Sequence, residues 1–141
     1  MQFEEILTIH VKIGKTSELR NNDGDSVIMI LFTGHATGKY FEGIVLDGGV
    51  DTQIIGKHGD RHTLSARYIL QGRDHTDQPC EIYIENNGNF NKDTKDVLFR
   101  TYPKIITNSQ ALSFLNHALL VGEGLPTESG VDIKIYMDSR T

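Results

Sequence analysis

The chain predicts an all-β fold: an antiparallel β-barrel of about 8–10 strands, calycin-like, with one short helix near residues 109–116. Three observations predict it. Apolar and polar residues alternate at period two along much of the chain. Short strand-like runs are separated at close spacing by Gly, Asn and Asp turn signals. No strand–helix–strand rhythm appears, which argues against a doubly wound fold. Closing the sheet removes the exposed edges that so many strands would otherwise present.

The elements follow in order. Phe3, Glu5, Leu7, Ile9, Val11 and Ile13 share one face of a first strand, with Glu4, Thr8, His10 and Lys12 on its wet face. Residues 21–25 read as a loop. Residues 27–32 are apolar on both faces and read as a buried strand. Residues 33–38 predict a bend, and 39–46 resume as strand. Asp47-Gly48-Gly49 is a strong turn signal, followed by a short strand over 51–55 and a turn over 56–61. Leu64, Ala66, Tyr68 and Leu70 alternate with Thr63, Ser65, Arg67 and Gln71. Residues 73–79 form a polar hairpin loop before a strand over 80–85, which Asn86-Asn87-Gly88-Asn89 closes with hairpin residues. A strand over 97–102 breaks at Pro103, with 104–107 extended beyond it. Residues 109–116 predict about two helical turns, with Ser109 as N-cap. Residues 118–121 and 131–137 are the last strands.

The 141 residues predict one domain, 1–141. The net charge of −5, from 14 Lys and Arg against 19 Asp and Glu, argues against a nucleic-acid binder and against docking on an anionic membrane. Cys80 is the single cysteine, so no internal disulfide forms and a reducing compartment is favoured. The acidic start, Met1-Gln2-Phe3-Glu4-Glu5, does not read as a signal peptide, and the longest apolar run, 27–32, is too short to span a bilayer as a helix. A cytoplasmic protein is expected. A homodimer is the expected assembly, because closed two-fold oligomers are commonest.

The charged residues set inside strand-like runs are the main candidates for chemistry. If their strands are antiparallel neighbours, Arg67, Glu85 and Arg100 converge on one sheet face. Two arginines would then clamp an acidic ligand in bidentate fashion, with Glu85 orienting it. The plainer reading is a salt-bridged or solvated sheet face. Asp51, just past a Gly-Gly turn, either points into a barrel mouth as a general base or satisfies turn amides. His58 and His62 are four apart but sit in a glycine-broken turn with no third ligand evident, so no metal is assigned. His35 reads as a loop histidine. Cys80 reads as a buried inert thiol. Tyr40, Phe41, Tyr68, Tyr83 and Tyr102 read as core aromatics or as pocket lining. Gly122-Glu123-Gly124 lacks the context of a dinucleotide fingerprint, and neither a P-loop nor a Gly-x-Ser-x-Gly elbow is present. No cofactor is implied.

Several stretches together resemble domain-of-unknown-function family 3237, whose members are small bacterial and fungal β-barrel proteins. They are Phe41-Glu42-Gly43-Ile44-Val45-Leu46-Asp47-Gly48-Gly49-Val50-Asp51, Ala66-Arg67-Tyr68, Ile82-Tyr83-Ile84-Glu85-Asn86-Asn87-Gly88, Phe99-Arg100-Thr101-Tyr102-Pro103, Phe114-Leu115-Asn116 and Leu120-Val121-Gly122-Glu123-Gly124. The resemblance implies a single antiparallel barrel and no established reaction. It marks Asp51, Arg67, Tyr68, Glu85, Asn86, Arg100, Thr101 and Asn116 as the matching polar positions. Asp47 stands where a proline is usual, and Thr52-Gln53 where a tryptophan is common after the aspartate.

The expected function is binding of a small organic molecule, an organic acid, in a barrel with a polar interior patch. Asp51, Arg67, Tyr68, Glu85, Asn86, Arg100 and Asn116 are its candidate ligand-binding residues. The alternatives are a cofactor-independent enzyme, using a carboxylate as acid/base and arginine stabilisation, or a structural, oligomer-forming module.

Overall fold

Among the described residues, nine strands join in a single antiparallel sheet that curls round and closes on itself. The computed structural model describes residues 1–90 and 96–140. The strands are β1 (Phe3–Leu19), β2 (Ser26–Thr37), β3 (Phe41–Val45), β4 (Val50–Ile55), β5 (His62–Asp74), β6 (Pro79–Phe90), β7 (Phe99–Thr107), β8 (Leu120–Pro126) and β9 (Gly130–Asp138). Around the ring the order is β1, β9, β8, β7, β6, β5, then β3 and β4 side by side with β2, which returns to β1. The inner faces of these strands supply a continuous apolar core.

Strands β3 and β4 are two halves of one interrupted strand. Both pair antiparallel with β2 and both with β5, so they run in the same direction. The turn predicted at Asp47-Gly48-Gly49 forms, as an excursion within a single strand path. The Leu46 amide bonds the Ile69 carbonyl at 2.9 Å and the Gly49 carbonyl accepts from the Phe32 amide at 3.2 Å, which pins both of its ends. Gly48, at φ 103°, supplies the left-handed residue that the excursion needs.

Several local expectations change. In β1 a register shift between Glu5 and Leu7 turns both Ile6 and Leu7 into the core and leaves Phe3 and Glu5 outside. In β2 only one face is covered: Phe32 is buried while Met29 and Leu31 are exposed, because the closed ring has a single interior. Residues 33–37 continue that strand instead of bending, paired with β1 through Thr33, Gly34, His35, Ala36 and Thr37. The hairpin-like Asn86-Asn87-Gly88-Asn89 is mid-strand, matched to Thr63–Ala66 of β5 on one side and Arg100–Pro103 of β7 on the other.

Pro103 likewise does not break its strand. It is tolerated because β7 pairs with β8 only from Phe99 to Thr101, so no β8 carbonyl awaits its missing N–H. The predicted two-turn helix is a single 3-10 helix, Ser113–His117. Its preceding turn drives Leu112 into the core and the helix adds Leu115, so this segment plugs one end of the barrel.

Asp74, at the end of β5, holds the plug in place. Its carboxylate accepts from the Thr76 amide and hydroxyl, the Gln78 amide, and the Ser109 hydroxyl at 2.7 Å. Ser109 in turn accepts from the Leu112 amide at 3.1 Å, three residues on, while donating to Asp74. It fastens the turn before the helix and is not the helix N-cap the sequence predicts, a position that Leu112 holds without a side-chain cap. These hydrogen bonds, led by the Thr76 and Ser109 hydroxyls, hold the Asp74 carboxyl below the usual carboxylate range.

Candidate functional site

The opposite end of the barrel contains a cavity of about 190 Å³. Its wall is built from inward positions of β1, β2, β4, β5, β6, β7 and β9, including Val11, Phe32, Leu64, Ala66, Phe90 and Phe99. Among the described residues, Asp51 and Gln53 are its polar side chains. Ile13 and Leu98, which are 50% and 41% exposed, line it at the end away from Leu112 and Leu115.

Register explains why Asp51 points inward. Asp51 pairs with Ala66 and Gln53 with Leu64, and both partners are core residues of β5. Side chains directly opposite one another share a face, so two polar residues of β4 enter an otherwise apolar interior. Gln53 donates to one Asp51 oxygen, Oδ2, at 2.8 Å. The Gln53 carbonyl oxygen meets His62 Nε2 at 2.8 Å, so His62 donates there. The His62 ring stacks on Phe90, with centroids 3.9 Å apart and planes at 16°. Phe90 meets Phe99 edge-on at 5.3 Å. Asp51 is thus oriented by a chain of contacts running to an aromatic pair at the cavity wall. Its other oxygen, Oδ1, is buried with no hydrogen-bond partner among the described residues. Burial pushes the Asp51 carboxyl above its ordinary value, while Gln53, the Ser65 amide and His62 act in the opposite sense.

Behind the cavity wall lie three more orphaned polar groups. The Tyr68 hydroxyl, both polar atoms of the Asn86 amide, and the Thr101 hydroxyl are buried without partners among the described residues. Asn86 pairs with Ala66 on the side away from Asp51, so Asp51, Ala66 and Asn86 form one row across β4, β5 and β6. Asn86 is 0% exposed. Thr101 faces Gly88 and Gly122 on its two neighbouring strands, and a Cβ at either glycine would collide with it. Tyr68 stands one inward position beyond Ala66 on β5, edge-on to Phe32 at 5.2 Å. Burial raises its phenol well above the ordinary tyrosine value. Unpaired buried polar groups are uncommon and costly, and four side chains in one neighbourhood mark a polar patch inside an apolar barrel.

The charged trio stands elsewhere. Arg67 and Glu85 are directly paired across β5 and β6, their side chains 3.1 Å apart on the outer wall. Arg100 lies on the outer face of β7 and pairs at 3.6 Å with Glu123 of β8. The two arginine side chains are 59% and 61% exposed. All three share one sheet face, as expected, but it is the outer one, and only Arg67 and Glu85 meet on it; Arg100 is opposite Asn89, four residues along from Glu85, and does not join them. Asn116 braces the plug, its side-chain oxygen accepting from the Thr107 amide at 2.8 Å. Cys80 is buried, and burial, with Asp74 and Glu81 nearby, raises its thiol. On the outer wall at the β1–β2 seam, His10 bonds Asp132 at 2.9 Å and Thr37 at 3.0 Å and stacks on His35.

Of the sequence candidates, Asp51, Tyr68 and Asn86 therefore share one interior region. Gln53, His62 and the rings of Phe32, Phe90 and Phe99 were missed as site residues. The alternation of Leu64 to Leu70 marks the inner face of β5, but only the pairing of β4 with β5 carries that face to Gln53.

Residues 1–137 match the family model for proteins of unknown function, DUF3237. A UPF0311 protein of Clostridium acetobutylicum is 36% identical over 90 residues, a match covering 62% of this chain and 54% of that protein. The chain thus spans about half the length of that curated relative. A crystal structure of a protein with unknown function from Clostridium acetobutylicum is similar at a TM-score of 0.82 and 28% identity, over 99% of this chain and 100% of that one. A β-barrel-like protein from Acinetobacter baumannii reaches 0.73 at 20% identity, over 96% and 94% of the two chains, a likeness of fold alone. The chain belongs to the DUF3237 family of proteins of unknown function.

Proposed function

We propose that this chain is a small-molecule-binding barrel whose ligand occupies the cavity at the end opposite the Ser113–His117 plug. The observation that carries the reading is the pairing of that 190 Å³ apolar cavity with a buried, unpartnered Asp51 oxygen in its wall. Apolar walls supply affinity and a few placed polar groups supply orientation, which is the usual construction of a ligand site. Asp51 is the anchoring group, Gln53 fixes its rotamer, and Tyr68 and Asn86 provide the polar backing. Arg67, Glu85 and Arg100 belong to the outer wall in this reading, and Asn116 to the plug.

A second reading is supported by the Asp51 environment. A carboxyl raised by burial and placed against a cavity is suited to exchange a proton with a bound molecule. In that case the same pocket serves a cofactor-independent proton-transfer enzyme, with Asp51 as acid/base.

The test is Ala66→Leu, which projects bulk into the cavity between Asp51 and Asn86. A fragment screen read by thermal shift should find molecules that raise the midpoint of the native protein by mass action. The Ala66→Leu protein, folded by circular dichroism, should lose that response. An undiminished response in the variant places binding elsewhere and ends the proposal.

A further inference from the structure

We infer that the cavity is matched to a neutral, single-ring aromatic molecule bearing one hydroxyl or N–H donor, with that donor directed to Asp51 Oδ1. The inference rests on the binding reading above and deepens it by naming the ligand class.

Size comes first. An apolar cavity of about 150 Å³ accepts benzene. The present cavity, about 190 Å³, has room for one ring and a small substituent. Shape and chemistry follow from the wall. Phe32, Phe90 and Phe99 contribute three rings, and Phe90 is itself held by the His62 stack. Aromatic pairs gain from offset and edge-to-face contact beyond simple area burial. A rigid ring also loses little rotational freedom on binding.

The polar complement is one acceptor. Asp51 Oδ2 is already engaged by Gln53, whose own carbonyl is occupied by His62. That leaves Oδ1 as the unsatisfied atom in the cavity wall. A ligand hydroxyl or N–H would satisfy it.

Charge decides the rest. Among the described residues that line the cavity, none is Lys or Arg. A carboxylate ligand would therefore sit beside Asp51 with no cation among those residues to offset either group. An ammonium ligand would shed its hydration in an apolar cavity with a single carboxylate in exchange, and such desolvation can exceed the Coulombic gain. A neutral donor avoids both costs.

The experiment titrates four single-ring probes into the full chain: p-cresol, toluene, benzoate and benzylamine. Amide shifts in a ¹H–¹⁵N spectrum locate binding. Cresol should perturb Asp51, Ala66, Phe90 and Phe99, and bind about tenfold more tightly than toluene, the scale of one hydrogen bond left unmade. Benzoate should bind far more weakly than either. In Asp51→Ala, the preference for cresol over toluene should disappear while toluene still binds. Equal affinity for cresol and toluene, or a preference that survives Asp51→Ala, overturns the inference while leaving the cavity as a binding site. Benzoate or benzylamine binding more tightly than cresol overturns it in favour of a charged ligand. Toluene and cresol both failing to perturb the cavity amides removes the cavity reading itself.

Discussion

Asp51 and Asn86 stand on either side of Ala66 in a single inward row of three neighbouring strands; among the described residues one Asp51 carboxyl oxygen and both polar atoms of the Asn86 amide have no hydrogen-bond partner. Ala66 is the small residue that separates them. Strand spacing of about 4.8 Å sets the two backbones roughly 10 Å apart, so the pair brackets the inner wall beneath the cavity.

The Asp51 carboxyl gives the fold a pH signature. Its pKa is raised on folding, so the native state holds this proton more tightly than the unfolded chain does. Its contribution to stability is fully present below the ordinary carboxyl value of about 3.9 and is lost as pH rises through the raised native value. Asp51→Asn should remove this loss. Chemical denaturation across that window should show the unsubstituted protein falling relative to the variant as pH increases. Parallel pH profiles for the two would count against a desolvated Asp51.

Asp74 should act with the opposite sign. Its native pKa is depressed by four hydrogen bonds, so it stabilises the fold above the ordinary carboxyl value and ceases to do so as pH falls through the native one. Asp74→Asn should flatten the acid limb of the stability profile. Ser109→Ala, which removes the buried hydroxyl between Asp74 and Leu112, should cost about 1–3 kcal/mol in urea denaturation.

Leu112→Ala tests the plug. Leu112 is fully buried at the closed end. Truncating it should destabilise by about 2–5 kcal/mol, with the cresol-to-toluene preference at the far end retained. A variant as stable as the parent would mean that the end is not packed as described.

The outer arginines should matter little. Arg67→Ala breaks an exposed pair with Glu85, and Arg100→Ala a longer one with Glu123. Exposed pairs are worth roughly 0–1 kcal/mol, so each variant should unfold close to the parent and give the same fragment response. A lost response in Arg100→Ala would restore the acidic-ligand clamp.

The class of fold was legible because alternation and turn chemistry are local. Leu64, Ala66, Tyr68 and Leu70 announce a strand with one inner face however the sheet is arranged. The turn-like residues misled for the same reason. Asn86 to Asn89 and Pro103 carry hairpin and breaker signals, yet neighbours on both sides of β6 and the early end of β7–β8 pairing keep those segments extended. Tertiary pairing overrode local preference there.

The sequence by itself determined an all-β chain, the inward phase of its central strands, and Asp51, Tyr68 and Asn86 among the polar positions worth watching. Tertiary structure alone decided which charges face the interior. Side-chain facing reverses with every residue, so a single step of register separates a site from a solvated surface. That step sends Arg67 outward to Glu85 while its neighbour in sequence, Ala66, joins Asp51 at the cavity wall.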